Sequence, residues 1–371
     1  MHAWTNVGAD GVSATGPRLP VDLVVDPTMA RRSKTIVGLD IEPGSIAAVQ
    51  VATADGLSVE RAAVLDLDPH VVRDGEVADG EALTEALKAL WSQNSWLNRK
   101  VRIGVANARI VVRVMDLPPL EDPKDLAAAV QFQAKDELPM AIDQAVIDFQ
   151  SIGLVETPAG TKARVILVAA RREMIERLLS AARAAGLRPE GVDLSAFAMV
   201  RALGPSDGPA LYVSVGGLTN LAVAEAGNCL FTRVSGGGLE AMAIDLAERQ
   251  ALTLDHARAW LRHVGLEQEL SEVEGDEDIV ADTRNVLTEG ARRVATDVRA
   301  SLDFHHTQSV GGPMVERVLL TGPAVAVPGF AELLERELGL PVEPRIMPGN
   351  ADGAVERLSV AAGLAVEELA A

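Results

Sequence analysis

The most telling segment of the chain is Ile36-Val37-Gly38-Leu39-Asp40-Ile41-Glu42-Pro43-Gly44-Ser45-Ile46-Ala47-Ala48-Val49, an apolar run, a tight turn and a second apolar run. Proline and glycine in a short turn between two β-prone runs predict a hairpin. The pattern recurs at Leu211-Tyr212-Val213-Ser214-Val215-Gly216-Gly217-Leu218-Thr219-Asn220-Leu221-Ala222-Val223, and the two copies align without a gap. Because each copy begins one half of the chain, the sequence predicts two related halves.

Each predicted hairpin is followed by a third β-prone run, at 57–65 in the first half and at 229–234 in the second. In the first half, a helical pattern over 81–91 and a short apolar run over 101–106 come next. Three strands, a helix and a strand in this order are typical of a ribonuclease-H-like domain. The predicted fold class is therefore α/β, with two such domains.

A block between the two halves interrupts this order and predicts an inserted α/β subdomain. Asp122-Pro123 supplies an N-cap and a first-turn proline for a helix over 124–138, and strands are predicted on both sides of it. The predicted organisation has four parts: a disordered tail over 1–33, a first domain over 34–207 with the insertion at about 107–170, a second domain over 208–350 with a helical subdomain at about 240–312, and a C-terminal helix over 351–371 that returns to the first domain.

Composition excludes several functions. The net charge of -19 disfavours nucleic acid and anionic membranes as direct partners. The single Cys229 rules out an internal disulfide and a cysteine-rich metal site, which indicates a cytosolic protein.

His305 and His306 are adjacent, so they cannot share one helical face as metal ligands. No Walker A, Gly-x-Ser-x-Gly or His-Glu-x-x-His motif is present, so P-loop, serine-hydrolase and zinc-peptidase chemistry is unsupported.

One stretch of the predicted insertion is specific enough to suggest a family. Gln131–Met140 and Val146–Gln150 resemble the inserted subdomain of the PilM family of type IV pilus assembly proteins, and Leu167–Arg171 and Ala185–Asp193 are similar to the stretches that follow it there. The resemblance implies an actin-like ATPase fold, related to that of FtsA. It also implies an adaptor of a pilus or related secretion platform, cytoplasmic and peripheral to the inner membrane without inserting into it.

The partner that the resemblance implies is a PilN-like inner-membrane protein, whose cytosolic N-terminal tail binds in a groove between the first half and the insertion. Other pilus platform proteins are implied as further partners. An extended tail can gain affinity from main-chain hydrogen bonds along a strand edge while its apolar side chains fill pockets. The sequence does not identify the residues of this groove.

The resemblance also implies that ATP and Mg²⁺ would lie between the two hairpin turns. Glycine and small polar residues at such turns let backbone N–H groups approach phosphate. The candidate nucleotide residues are Asp40, Gly44, Ser45, Gly216, Gly217, Thr219, Asn220, Gly236, Gly237, Gly238, Thr321 and Gly322, and Asp40 is also the candidate metal ligand.

Several positions depart from the family pattern for nucleotide binding. Glu42 and Pro43 occupy the centre of the first turn, where a carboxylate repels phosphate and proline offers no N–H. Ser214 replaces the acid that would help to hold Mg²⁺, and Arg258 and Leu261 replace the pair that would contact adenosine. We therefore predict no catalytic residues and no hydrolysis. Binding of ATP and Mg²⁺ stays open, as does the choice between a metal-binding and a turn-capping Asp40, and between nucleotide approach and close packing at Gly236–Gly238.

Two other functions remain as alternatives. An active actin-like ATPase or small-molecule kinase would need the phosphate turn and metal carboxylate that are altered here. An FtsA-like cell-division filament protein should end in a basic amphipathic membrane helix, whereas 360–371 contains Glu367 and Glu368 and no Lys or Arg. The adaptor is accordingly the leading hypothesis.

Overall fold

A computed structural model describes residues 36–53, 56–120, 122–158, 160–308, 314–349 and 354–366, so the predicted tail over 1–33 lies outside the described residues. The strands are β1 (Val37–Glu42), β2 (Ser45–Ala52), β3 (Ser58–Asp66), β4 (Val72–Arg73), β5 (Glu76–Val77), β6 (Lys100–Val105), β7 (Val111–Leu117), β8 (Ala145–Thr157), β9 (Gly160–Arg171), β10 (Arg188–Leu194), β11 (Ala210–Val215), β12 (Thr219–Glu225), β13 (Asn228–Ser235), β14 (Arg317–Thr321) and β15 (Val342–Pro344). The α-helices are α1 (Gly80–Gln93), α2 (Pro123–Glu137), α3 (Arg172–Ala184), α4 (Ser195–Leu203), α5 (Leu239–Gln250), α6 (Leu254–Val264), α7 (Glu277–Gln308), α8 (Phe330–Leu338) and α9 (Ser359–Leu364).

The two halves are built on matching five-stranded sheets, with strand orders β10-β6-β1-β2-β3 and β13-β12-β11-β14-β15. In each sheet a hairpin, β1–β2 or β11–β12, continues into a third antiparallel strand, and its first strand pairs in parallel with a later one. The two turns therefore lie at equivalent positions in the two sheets. This arrangement confirms the α/β fold with two ribonuclease-H-like halves. The boundaries assigned above to the domains stay a proposal.

Helices α4 and α9 form a shared layer between the two sheets. Helix α9 packs against β1 and α4, and α4 contacts both β10 and β12. Glycine allows the closest of these approaches, because a Cβ on Gly38 would lie 1.8 Å from the Ala361 carbonyl oxygen and one on Gly363 would lie 1.8 Å from that of Ala198. The outer faces are covered by α1 and α3 on the first sheet and by α5 to α8 on the second.

The inserted subdomain is a three-stranded antiparallel sheet, β7-β9-β8, with α2 on one face. Asp122 caps α2 by accepting a hydrogen bond from the Lys124 N–H at 2.8 Å, as the sequence predicts. Val130 and Ala134 of α2 are buried against Leu167 of the central strand β9. Among the described strands β7 pairs only with β9, so its other edge is unpaired there, and part of β13 lies near it.

The predicted C-terminal helix differs from the structure. The helix predicted over 351–371 is divided into a 3₁₀ turn at Val355–Arg357 and the short α9, because the Leu358 N–H bonds to the Val355 carbonyl and tightens the chain there. Residues 351–353 and 367–371 lie outside the described residues. Helix α7 begins within an acidic stretch of the sequence, since Asp276 accepts hydrogen bonds from the Asp278 and Ile279 N–H groups. Helices α4 and α8 are additional to those predicted.

In the described part of the chain, none of the helices combines the length and the apolar composition that crossing a bilayer requires.

Candidate functional site

The two hairpin turns meet in the cleft between the domains. The Glu42 carboxylate, at the end of β1, accepts a hydrogen bond from the Gly217 N–H of the opposite turn at 2.9 Å. A Cβ on Gly217 would lie 2.2 Å from the Pro43 carbonyl oxygen, and one on Gly216 would lie 2.5 Å from Glu42 Oε2. The glycines therefore let the turns touch, and the chain's own carboxylate takes an N–H that a phosphate would need.

Arg258 of α6 makes a second connection across the cleft. Its Nε and Nη2 donate to the two Glu240 carboxylate oxygens at 3.0 and 2.6 Å, and Nη2 also donates to the Gly44 carbonyl at 3.2 Å. Its Nη1 lies 3.1 Å from Asp255 and 3.6 Å from Asp66 at the end of β3. One buried guanidinium thus joins two helices of the second domain to two elements of the first.

Little space remains between the turns. The cavity beside Gly44, Ser45 and Gly216 has a volume of about 20 Å³, and the one between Asp40, Ser214 and Gly322 about 10 Å³. A single water molecule needs about 10–15 Å³ measured in this way. The phosphates of a nucleotide do not fit between the turns in this conformation.

Two buried carboxyl groups of the cleft have raised pKa values. Burial and the neighbouring Glu42 raise the pKa of Asp40 well above its usual range, against the opposing effect of the Ser195 hydroxyl at 3.5 Å. Burial raises the pKa of Glu42 to about 7, with the Gly217 N–H and Arg357 acting in the opposite direction. Among the described residues, no cluster of three or more His, Cys, Asp or Glu side chains is arranged to hold a metal ion. In this conformation these groups do not fit Mg-ATP, because Glu42 occupies the Gly217 N–H and the turns leave no room for phosphates.

The remaining predicted nucleotide residues have other neighbours. The Thr321 hydroxyl hydrogen-bonds Ser359 at 2.7 Å, and the Thr219 hydroxyl donates to the Gly237 carbonyl at 3.4 Å. Gly238 packs against the Gly216 carbonyl, and a Cβ on Gly236 would approach Asp74 of the first domain at 3.3 Å. Asn220 lies away from the turns, on the floor of a different and larger groove. The structure thus brings only Asp40, Gly44, Ser45, Gly216, Gly217 and Gly322 together in the cleft.

The larger groove lies where the first domain, the inserted subdomain and the second domain meet, and it has a volume of about 640 Å³. One wall is the segment from the end of β6 to the start of β7, and the opposite wall is β13 with Phe304 from the end of α7. Arg171 and the Pro139-Met140 segment complete it from the subdomain. The unpaired edge of β7 begins at this groove, since Val111, Val112 and Arg113 line it.

The groove combines apolar and cationic groups. Phe231 and Phe304 pack together with ring centroids 6.0 Å apart, and Phe304 is 46% exposed. The charged side chains that line the groove are Arg109, Arg113, Arg171 and Arg233. On the floor, neither polar atom of the buried Asn220 amide has a hydrogen-bond partner among the described residues. Of these residues the sequence singled out Asn220 alone, as a candidate nucleotide contact rather than as part of a groove. The only signal of the groove was the pair Arg109 and Arg113 flanking an apolar run.

Several solved structures have an architecture similar to that of this chain. The structure titled "PilM-PilN type IV pilus biogenesis complex" superposes with a TM-score of 0.72 at 24% identity, covering 91% of this chain and 99% of that one. The ethanolamine utilization protein EutJ from Carboxydothermus hydrogenoformans gives 0.52 at 19% identity (90% and 89% covered), and MreB5 of Spiroplasma citri bound to ADP gives 0.52 at 12% (89% and 95%).

These likenesses confirm the actin-like ATPase fold. The sequence profile described as "Type IV pilus assembly protein PilM" matches residues 38–347, which is most of the chain and confirms the resemblance noted above. The chain therefore belongs to the PilM family of type IV pilus assembly proteins.

Proposed function

We propose that this protein is a nucleotide-independent adaptor that binds the cytosolic N-terminal tail of a PilN-like inner-membrane protein in the groove between its inserted subdomain and the rest of the body. It would lie on the cytoplasmic face of the membrane, held there by that partner and in contact with other platform proteins. The observation that carries the proposal is the groove of about 640 Å³ at the unpaired edge of β7. A related PilM is known in complex with PilN, which supports this choice of partner.

The groove suits an extended peptide for two physical reasons. A free strand edge offers main-chain N–H and C=O groups, and these can pair with a peptide by strand addition. The apolar surface beside it, from Ile110 and Met140 to Phe231 and Phe304, can bury side chains that alternate along such a peptide. The tail is tethered to the membrane at which the adaptor would lie. Tethering raises the effective concentration of the tail near the groove.

The cleft supports the nucleotide-independent part of the proposal. Its two turns touch through Glu42 and Gly217, and Arg258 joins the domains a second time. A body held by its own side chains needs no bound phosphate to keep the groove walls in place. An active actin-like ATPase is disfavoured, because its ligand would have to displace both connections.

The test of the proposal is a titration of the labelled tail peptide of the PilN-like protein from the same genome into the purified protein. We expect saturable binding, and we expect Ala108→Trp to weaken it at least tenfold, because Ala108 is exposed and lines the groove. Ala128→Trp, on an exposed position of α2 outside the groove, is the matched control and should bind as the parent does. Failure of the peptide to bind the parent protein overturns the proposal.

Mg-ATP is expected to leave the protein's melting temperature unchanged to within about 1 °C at millimolar concentration, because ligand stabilisation depends on occupancy and the cavities between the turns hold about 20 and 10 Å³. Differential scanning fluorimetry with and without Mg-ATP is the measurement. A rise of several degrees would show that the cleft opens and binds nucleotide, and would return the ATPase alternative to consideration.

A further inference from the structure

We propose that a second groove, between the two domains, is a docking site for an amphipathic helix of another protein, with lysine or arginine on both sides of its apolar face. This groove lies between residues 66–70 of the first domain and helices α5 and α6 of the second, and we call it the α5–α6 groove. It shares no lining residue with the groove beside the insertion. The inference therefore goes beyond the proposed function and does not depend on it.

The α5–α6 groove contains an apolar surface that a ligand can cover. Its volume is about 530 Å³, within the range of roughly 300–1,000 Å³ that is typical of ligand clefts. Ile244, Ala247, Leu252 and Leu254 line it, and all four are only half-buried. Removing their remaining apolar surface from water would favour association by about 25 cal/mol per Å².

The charge around this apolar surface is negative. Arg258 is the only Lys or Arg among the described lining residues, and its buried guanidinium is already bonded to Glu240 and Asp255. The lining carboxylates all belong to exposed residues: Asp66, Asp68, Glu248 and Asp255. A groove lined by one sign of charge focuses the potential of that sign and attracts the opposite one.

Two of the four carboxylates are free to meet a cationic ligand. Asp66 already pairs with Arg357 at 2.7 Å, and Asp255 lies 3.1 Å from Arg258. Among the described residues, no cation lies within ion-pair distance of Asp68 or Glu248, which stand on opposite walls of the groove. A ligand with basic side chains on both flanks can therefore pair with each wall without breaking an existing ion pair.

The walls of the groove favour a helix over an extended peptide. The main chain of the first wall is used internally, because the Leu67 N–H donates to the Gly44 carbonyl at 3.0 Å and the His70 N–H to the Asp68 carboxylate at 2.8 Å. The other wall consists of α5 and α6, which offer no strand edge. A ligand must bind chiefly through side chains, and a helix presents apolar side chains along one face at i, i+3 and i+4 spacing.

Charge also selects the class of partner. Nucleic acid and an anionic membrane would be repelled by the acidic lining, and so would a second copy of this chain, whose net charge is -19. A basic amphipathic helix of a different protein satisfies both the apolar surface and the carboxylates around it.

The first experiment uses three synthetic peptides as probes. One is a helix of about 18 residues, or five turns, with leucines along one face and lysines on both sides of it. The second has the same composition in scrambled order, and the third has glutamate in place of every lysine. Each is titrated by fluorescence anisotropy into the full-length protein and into its Glu248→Lys and Glu316→Lys variants. Glu316 is exposed at the start of β14, about 17 Å along that strand from the cleft, and is the matched control.

We expect the leucine–lysine helix to bind saturably, and the scrambled and glutamate peptides to bind at least tenfold more weakly. Glu248→Lys should weaken the leucine–lysine helix at least fivefold, whereas Glu316→Lys should change its affinity less than twofold. The inference is overturned if the leucine–lysine helix does not bind, if either of the other peptides binds as tightly, or if the two variants weaken binding alike.

The second experiment identifies the natural occupant by placing a photo-crosslinking amino acid at Ala247 in cells that produce the protein naturally. We expect crosslinks to a segment of another protein that has a net positive charge and apolar residues at helical spacing. Crosslinks only to neutral or acidic segments, to a second copy, or to residues 1–35 of this chain overturn the inference, as does the absence of any crosslink. None of these outcomes bears on binding of the PilN-like tail, which is measured at the other groove.

Discussion

Arg258→Leu is expected to lower the free energy of unfolding by about 3–5 kcal/mol, the cost typical of removing one partner from a buried ion pair. The guanidinium compensates Glu240, whose side chain is only 11% exposed and lies close enough to Glu42 to raise the pKa of that residue. Without Arg258 the carboxylates of Glu240 and Glu42 face each other in a poorly solvated cleft, and the Gly44 carbonyl keeps the Leu67 N–H but loses its donor from the opposite domain. Urea unfolding at pH 7.5 measures the change.

The matched control for this prediction is Arg262→Leu, one turn further along the same helix. Arg262 lines the same small cavity but is exposed, so its loss should change stability by less than about 0.5 kcal/mol. Adding Glu240→Gln to Arg258→Leu should restore part of the stability, because it removes the carboxylate left without its partner. Equal stability of Arg258→Leu and the parent would show that the connection across the cleft contributes nothing.

Glu42→Gln is expected to stabilise the protein above neutral pH, by about 3 kcal/mol at pH 8. The folded-state pKa of Glu42 is raised to about 7 from an ordinary value of 4.5, chiefly by burial. The folded protein therefore holds a proton between pH 4.5 and 7 that the unfolded chain has released, and stability is lost as the pH rises through this window. Glutamine keeps an oxygen for the Gly217 N–H but has no charge to desolvate.

The measurement is the urea midpoint of the parent and of Glu42→Gln at pH 5 and pH 8. The two proteins should differ little at pH 5 and clearly at pH 8, while Glu356→Gln, a half-buried neighbour lining the same cavity, should follow the parent at both. If Glu42→Gln were less stable than the parent at pH 8, the ionised carboxylate would be an attractive contact with Arg357 and Gly217 rather than a burial cost.

Much of the fold could be predicted because local patterns and global arrangement agree. The two hairpins, the Asp122-Pro123 helix start and the alternating strands of the insertion each carry a short-range signal. The sequence of helix α4 contains no clear helical signal. Its residues from Ser195 to Val200 are all buried between the two sheets, so no polar face alternates with an apolar one at helical spacing. The C-terminal helix predicted over 351–371 is longer than the observed α9. Apolar periodicity continues through the segment before α9, where the backbone tightens into a 3₁₀ turn that ends at Leu358.

The candidate site was harder to predict because it depends on contacts between distant segments. The sequence shows that Glu42 occupies a phosphate turn, but not that its carboxylate reaches Gly217, 175 residues away. It shows Arg258 where adenosine contacts are expected, but not that the side chain reaches Gly44 across the cleft. The groove is drawn from widely separated segments of the chain, and its arginines share a surface only after folding.

The most direct test of the account is a single pair of titrations, in which the affinity of the natural tail peptide is measured without nucleotide and again in saturating Mg-ATP. The account predicts one dissociation constant in both, because the groove is distinct from the cleft and the cleft is closed by Glu42, Gly217 and Arg258. A tail that binds only when Mg-ATP is present, or an affinity that changes tenfold with it, would contradict the account.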